Sequence, residues 1–323
     1  MKSGFLPLLV LMLAAGCRPN DPPPAEPPDA IPSEAIEEAT SLFGEPLVRP
    51  SFPPERQAQL EADLEQARAR FEQDPDDLES IIWLGRRLAY LWRYQEALAI
   101  YSQGLDRHPD APKLYRHRGH RYITVRAFDA AVADLERAAR RIAGTDDEVE
   151  PDGQPNAAGI PTSTLHTNIW YHLGLAYYLQ GAFDKALEAY RQCLAAATND
   201  DMRVATLDWL YMTLRRLGRH DEAAAAIASV HAEMTLLENT AYLRRLLMYK
   251  GELPPDSLLS VAAGDAAALT LATQGYGVGN FYLVNGDSER AVAIFRQVTS
   301  DTYWPAFGYL AAEADLKRMA ENR

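Results

Sequence analysis

The chain has 323 residues and a formal net charge of −13, and hydrophobic residues make up 47% of it. Because binding to nucleic-acid phosphates depends on a basic face, this acidic balance argues against a nucleic-acid partner. Ala, Leu, Arg and Glu dominate while Val, Ile and Thr are sparse, which favours helices.

Residues 1–16 have the pattern of a secretory signal peptide. Lys2 precedes an apolar run over residues 5–13, which is too short to cross a bilayer as a helix. The ending Ala14-Ala15-Gly16-Cys17 resembles the lipobox of bacterial lipoproteins, although that family prefers Leu at the place of Ala14. The resemblance implies cleavage before Cys17 and lipidation of its thiol. It also implies a chain anchored in the bacterial cell envelope, at the outer membrane facing the periplasm or the surface. Ordinary secretion with an unmodified Cys17 is the alternative.

Residues 17–54 are rich in proline and polar side chains. Such a segment buries little surface and stays extended, so we expect a tether between the anchor and a folded body. A charged N-terminal helix is predicted over residues 55–77. The second cysteine, Cys193, has no intramolecular partner once Cys17 is acylated. We therefore expect no disulfide and a structural role for the Cys193 thiol.

The stretch IWYHLGLAYYLQGAFDKALEAYRQCL, residues 169–194, carries a recognisable spacing. Its key positions are Trp170, Leu173, Gly174, Tyr177, Ala186 and Tyr190. They match the W-x2-L-G-x2-Y…A-x3-F pattern, so the unit resembles the tetratricopeptide repeat family. Five units align on this template, near residues 78–111, 112–145, 167–200, 204–237 and 271–304. The resemblance implies an all-α fold, a right-handed α-solenoid of helix pairs over residues 78–323.

Three segments interrupt or close the array. Residues 144–166 are an acidic insertion between two units, and long insertions in repeat arrays form loops on one face. Because its acids lack the spacing of a calcium loop, we expect the insertion to be solvated. Residues 238–265 are predicted to be a degenerate helix pair, and residues 303–321 a C-terminal capping helix.

In the tetratricopeptide family the first helix of each unit lines the concave face of the superhelix. The resemblance therefore assigns to a groove on that face a surplus of aromatic, basic and polar side chains, which are typical of interface hot spots. About half of these aromatic residues are expected to pack between helices instead. The residues predicted to bind a partner are Trp83, Arg86, Tyr90, Arg116, His117, His120, Tyr171, His172, Tyr178, Trp209, Arg215, Arg216, Tyr276 and Asn280.

The predicted function is a lipid-anchored scaffold or adaptor that binds a protein or peptide in this groove. Two alternatives are a cell-wall or glycan-associated factor that stacks sugars on Trp83 and Trp209, and an accessory subunit of an envelope enzyme complex. No catalytic motif is found, so neither enzyme activity nor a cofactor is expected. His117 and His120 share a helix face and could hold a metal, but no third ligand is evident and we expect none.

Overall fold

The computed structural model describes residues 36–260 and 267–321, which form fourteen helices and two short strands. The strands are β1 (Glu37–Thr40) and β2 (Pro46–Val48). The helices are α1 (Pro54–Gln73), α2 (Leu78–Tyr90), α3 (Tyr94–Arg107), α4 (Pro112–Thr124), α5 (Phe128–Ile142), α6 (Leu165–Leu179), α7 (Phe183–Ala196), α8 (Asp200–Arg216), α9 (His220–Ala226), α10 (Thr240–Tyr249), α11 (Asp256–Leu259), α12 (Ala267–Val284), α13 (Ser288–Thr299) and α14 (Phe307–Glu321). Each helix from α1 to α8 packs against the next one in the chain. The predicted helical solenoid is confirmed. None of the helices described here is long and apolar enough to span a membrane.

The turns inside the helix pairs share one backbone feature, a residue with positive φ after the first helix. These residues are Trp92, Arg126, Gly181, Gly218, Gly251 and Gly286. Glycine adopts this conformation without steric cost. Trp92 (φ 56°) and Arg126 (φ 64°) are strained there, at a cost of about 1 kcal/mol or more each. The strain falls on the first two repeats alone, so other contacts have to hold those turns in place.

Close packing within each pair depends on a small residue facing a large one. A Cβ added to Gly174 in α6 would lie 2.7 Å from the ring of Tyr190 in α7. The alanine of the repeat pattern in each second helix is fully buried, at Ala97, Ala131, Ala186, Ala223 and Ala291. The motif therefore sets the distance between the two helices.

The residues just before α1 are folded, so the tether expected over residues 17–54 is wrong for its last part. β1 and β2 pair antiparallel. Glu38 on β1 is buried, accepts a hydrogen bond from the Gln95 backbone N–H (3.0 Å) and forms an ion pair with Arg49. The hairpin is therefore attached to the start of α3. The signal peptide, Cys17 and the first part of the tether lie outside the described residues.

Helix α14 covers the last helix pair, α12 and α13, and also reaches α6. Its Glu313 forms a buried ion pair with Arg126 in the turn between α4 and α5 (2.9 Å). The same carboxylate accepts a hydrogen bond from the Leu42 backbone N–H in the hairpin (2.7 Å). Arg318 donates to the Leu179 carbonyl at the end of α6 (2.7 Å). The helix expected to be a terminal cap therefore also ties the end of the array to its second and third repeats.

The segment that leads into α14 contacts both strained turns. The indole of Trp304 packs edge-on against Trp92, with ring centroids 5.3 Å apart. The guanidinium of Arg126 lies 5.2 Å from the Trp304 ring centroid. The Trp304 Nε1–H donates to the Val48 carbonyl of β2 (2.9 Å). One buried side chain thus joins the hairpin, the first two turns and the C-terminal helix, which explains how two non-glycine residues are held at positive φ.

We expect Glu313→Gln to lower the free energy of unfolding by about 3 kcal/mol, because it leaves the Arg126 guanidinium buried without a counter-charge. Urea denaturation followed by circular dichroism measures the loss. The matched control is Glu222→Gln, which breaks an exposed pair with Arg219 and should have little effect. Equal, small effects of the two variants would show that the buried pair does not hold α14.

Candidate interaction site on the concave face

The residues predicted to line the groove fall into three groups in the structure. One group lies beneath the inserted loop, one lines an open cavity in the middle of the face, and one is enclosed between helices, with α14 on one side. Their accessibility, burial and polar partners differ, so each group has a different capacity to bind a partner.

The enclosed group contains Tyr178, Trp209, Tyr276 and Asn280, all of which are fully buried. The Tyr276 hydroxyl lies 2.7 Å from the Tyr178 hydroxyl and 3.0 Å from Asp315 Oδ2 of α14. The expectation that these four residues face an open groove is therefore wrong. The physical reason is that the rings of Trp209, Tyr178 and Tyr276 pack against one another, while Asp315 of α14 accepts from Tyr276 and pairs with Arg216 beside Asn280.

The two arginines at the end of α8 are both engaged with neighbouring elements. Arg216 donates to Asn280 (2.9 Å) and pairs with Asp315 of α14 (2.5 Å). Arg215 is half-buried and donates to the Val284 carbonyl (3.1 Å) and to the Asn285 side chain (2.8 Å). Arg216 holds α14 in place, and its prediction as a partner-binding residue is wrong for the same reason as that of Asn280.

The middle group lines a cavity of about 280 Å³. Of the predicted residues, Arg116, His120, Tyr171 and His172 border it. The rings of His120 and His172 have centroids 4.2 Å apart. The Tyr171 hydroxyl accepts a hydrogen bond from the Trp209 indole N–H (2.7 Å), which fixes the phenol at the cavity wall. The structure therefore gathers four predicted residues from two repeats at one opening.

Sequence reasoning missed several residues of the same wall. Phe307 at the start of α14 lies 5.3 Å from the His120 ring, and the Tyr242 hydroxyl of α10 lies 3.0 Å from the Tyr171 hydroxyl. Both were assigned to segments outside the regular repeats, so no repeat position pointed to them. Further residues of the wall are Thr162, Ser163, Asn168, Met202, Ala205, Glu238 and Asn239.

The third group lies beneath the inserted loop. Glu150 of the loop pairs with Arg116 through Oε1 and Nη2 (2.9 Å). Gly153 lies against the Tyr90 hydroxyl, near enough that an added Cβ would come within 1.7 Å of it. The expectation of a solvated acidic loop is therefore wrong for Glu150, whose carboxylate is largely buried at the concave face. A basic face and an acidic insertion in one chain were the sequence signal for this contact.

Three further predicted residues belong to this region. Arg86 donates to the Tyr90 hydroxyl (3.3 Å) and its guanidinium lies 4.4 Å from the ring centroid of Trp83. His117 is buried, with Nδ1 3.0 Å from Arg116 Nη1. The loop thus lies over a side-chain layer that is stacked and hydrogen-bonded within itself.

The three histidines of the concave face are uncharged at neutral pH. Burial lowers the pKa of His117, His120 and His172 well below its ordinary value, and the Arg116 and Arg121 cations lower it further. Burial also lowers the pKa of Arg116, against the opposing effect of Glu150. The face therefore presents neutral imidazoles beside fixed guanidinium charges.

This arrangement is suited to binding. Guanidinium, imidazole, amide and hydroxyl groups beside aromatic rings can hold the carbonyl and carboxylate groups of an extended chain. In the described part of the chain, no three His, Cys, Asp or Glu side chains are placed to hold a metal ion. Cys193 lies away from the cavity wall, and burial raises its pKa to about 12, so the thiol stays protonated.

The three histidines, of which His117 and His172 are buried and His120 is half-buried at the cavity, predict a loss of stability in mild acid. They are neutral in the fold but protonate near pH 6.5 in the unfolded chain, so the unfolded state binds more protons as the pH falls. Each lowers the free energy of unfolding by up to about 1.4 kcal/mol per pH unit below that value. Denaturant titrations between pH 7.5 and 5.5 measure the slope.

His172→Gln should reduce this slope by about one histidine's share, since a glutamine does not titrate. The control is Gln192→Asn, an exposed substitution that changes no titratable group and should leave the slope unchanged. A slope that is the same in wild type and in His172→Gln would contradict the neutral, buried state of that ring.

The comparisons with known proteins agree with the repeat pattern at one place. The tetratricopeptide repeat model matches residues 167–197, and no curated protein sequence matches the chain. Similar solved structures include YrrB, a TPR protein with an unusual peptide-binding site, at 17% identity over 78% of this chain and 98% of that chain (TM-score 0.42). A tetratricopeptide repeat protein from Parabacteroides merdae ATCC 43184 is 16% identical over 79% of this chain and 93% of that chain (TM-score 0.48). MamA AMB-1 is 18% identical over 54% of this chain and 88% of that chain (TM-score 0.40). The residues that match the family model fall on the pair formed by α6 and α7.

Proposed function

We propose that this chain is a protein-interaction scaffold that binds an extended segment of a partner protein at the concave cavity. The observation that carries the proposal is the cavity of about 280 Å³ between α4, α6, α8 and α10, lined by Arg116, His120, Tyr171 and His172. Fixed donors and aromatic rings in a preformed concave site bind a peptide with little reorganisation cost. A helical-repeat array supplies such a site without needing catalytic groups.

We further propose that Cys17 is lipidated and holds the scaffold at a membrane of the bacterial cell envelope. The support is the sequence pattern of residues 1–17 and the proline-rich residues that follow. A diacyl anchor with an extended spacer concentrates the array near envelope partners. The scaffold then acts by bringing one partner to that surface.

The glycan-binding alternative gains nothing from the structure. It requires sugar stacking on Trp83 and Trp209, but Trp209 is fully buried and Trp83 is covered by the Arg86 guanidinium. No feature of the described residues favours the role of enzyme accessory subunit over that of a general scaffold.

The binding site is tested by filling the cavity without removing any buried side chain. Ser163→Trp places an indole at the wall, whereas Ala157→Trp places the same indole on an exposed part of the same loop. Partners are cross-linked in native membranes, copurified and quantified by mass spectrometry. We expect Ser163→Trp to reduce partner recovery at least tenfold, and Ala157→Trp to match wild type. Full recovery of partners by a folded Ser163→Trp variant would show that the binding site lies elsewhere.

The anchor is tested separately by Cys17→Ser. We expect the wild-type chain in the membrane fraction with a diacylglycerol-modified Cys17 peptide, and the variant in the soluble fraction. Fractionation and the mass of the N-terminal peptide report both. An unmodified Cys17 in the wild-type chain would refute the anchor and leave the cavity proposal standing.

A further inference from the structure

We infer that residues 147–154 of the inserted loop are a displaceable intramolecular ligand of the concave face, and that the segment which replaces them is an extended acidic segment of a partner protein. This inference rests on the proposed function and specifies its partner class. It starts from the chemistry of the contact between the loop and the face.

The concave face beneath the loop carries an excess of positive charge. Arg86 and Arg116 face the loop, and Arg121 lies near enough to lower the pKa of Arg116 and of the neighbouring histidines. Glu150 is the loop carboxylate that forms an ion pair with Arg116 (2.9 Å). In a chain of net charge −13, such a cationic site is suited to an acidic ligand.

The pairing between Glu150 and Arg116 is incomplete. The buried Arg116 Nε–H has no hydrogen-bond acceptor and Glu150 Oε2 has no donor, although each lies out of solvent. Arg116 is 7% exposed and borders the open cavity. A carboxylate with one oxygen on Nε and one on Nη2 would satisfy the Arg116 donor, since arginine binds carboxylates in a bidentate manner, and the displaced Glu150 would regain solvent. The loop therefore leaves room for a better ligand at this point.

The loop is held by polar contacts more than by apolar packing. The Arg87 guanidinium donates to the Gly153 carbonyl (3.2 Å), and Lys113 pairs with Glu148 (3.0 Å). Val149 and Ile160 remain 62% and 54% exposed, so lifting the loop sacrifices little buried apolar surface. A gap of about 20 Å³, enough for about one water, separates Glu148 to Pro151 from the helices below. Such contacts open at lower free energy than the core does.

The loop also shows the form of ligand that the face accepts. The Glu150 N–H donates to the Ser163 carbonyl (3.1 Å) and Val149 is bridged to Thr164, so this strand of the loop is extended. Its sequence over residues 147–154 is DEVEPDGQ. An extended segment with acids at alternate positions can repeat the pairs with Lys113 and Arg116, and one of its backbone carbonyls can accept from Arg87.

The test uses a fluorescein-labelled peptide of residues 147–154 and full-length protein, with binding followed by fluorescence anisotropy. In the wild type the tethered loop competes at an effective concentration on the order of millimolar, so the peptide binds weakly. Gly153→Ala forces the loop apart from the side-chain ends of Tyr90 and Arg86 while keeping the loop's charges, because the new Cβ would lie 1.7 Å from the Tyr90 hydroxyl. We expect at least tenfold tighter binding by Gly153→Ala, and also by Glu150→Gln, than by wild type.

Further variants test whether binding depends on the acidic side chains of the peptide and on the arginines of the concave face. Asp146→Asn removes an exposed acid of the same loop and should bind the peptide as wild type does. A peptide with Glu148, Glu150 and Asp152 changed to amides should not bind any variant. Adding Arg116→Gln to Gly153→Ala should abolish binding, with circular dichroism confirming the fold. If that double variant unfolds, the half-buried Arg86→Gln is used in its place.

A second readout follows the loop itself. Hydrogen exchange at the Glu150 amide should be slow in the free wild type, because it donates to Ser163, and should accelerate when excess peptide displaces the loop. Unchanged exchange with bound peptide would place the peptide elsewhere and overturn the inference.

The remaining outcomes distinguish this inference from the proposed function. Equal affinity for wild type and Gly153→Ala, blocked by Ser163→Trp, would refute the loop as competitor and keep the cavity as binding site. No peptide binding by any variant, with partner recovery still lost in Ser163→Trp, would refute the acidic class alone. Dimers of Gly153→Ala in sedimentation would assign the site to a second copy of this chain and overturn the partner proposed.

Discussion

The architecture depends on the buried ion pair between Arg126 and Glu313. It joins a turn of the second repeat to the C-terminal helix, and the Glu313 carboxylate also holds the N-terminal hairpin through Leu42. Burying two charges is costly unless each is fully paired, and the surrounding contacts with Trp304 supply that pairing and packing. An open row of helix pairs is thereby closed on itself. The closed arrangement encloses one end of the expected groove and leaves the cavity in the middle of the face.

This closed arrangement explains which residues of the face stabilise the fold and which remain able to bind a partner. At α14, Asp315 forms an ion pair with Arg216 and accepts a hydrogen bond from Tyr276, so these two side chains stabilise the fold. Beneath the inserted loop, Arg116 forms an ion pair with Glu150, but one polar atom of each side chain has no hydrogen-bond partner. Two segments of the same chain thus cover one face in different ways. In the first cover both Asp315 oxygens accept hydrogen bonds, from Arg216, Tyr276 and Arg318, whereas in the second Arg116 Nε and Glu150 Oε2 have no partner.

The repeat units could be predicted from the sequence because their determinants are local. The spacing of Gly174, Ala186 and Tyr190 sets how closely two neighbouring helices approach, and the structure uses those residues in that way. The position of α14 could not be predicted, since an amphipathic helix has the same pattern whether it caps an end or crosses a face. The contact between the inserted loop and Arg116 could not be predicted for a related reason. Glu150 stands in a segment without periodicity, and its partner is set by the fold.

The two strained turns have a consequence for how such an array can change in length. An open solenoid gains or loses whole repeats with little effect on the units that remain, because each unit touches only its neighbours. Here Trp92 and Arg126 hold unfavourable backbone conformations that are maintained from the opposite end of the chain by Trp304. Inserting one more repeat between these turns and Trp304 would move the indole away from Trp92 and Arg126 and leave their strained conformations without support. Duplication of a repeat, the usual way in which repeat proteins lengthen, would therefore destabilise this protein.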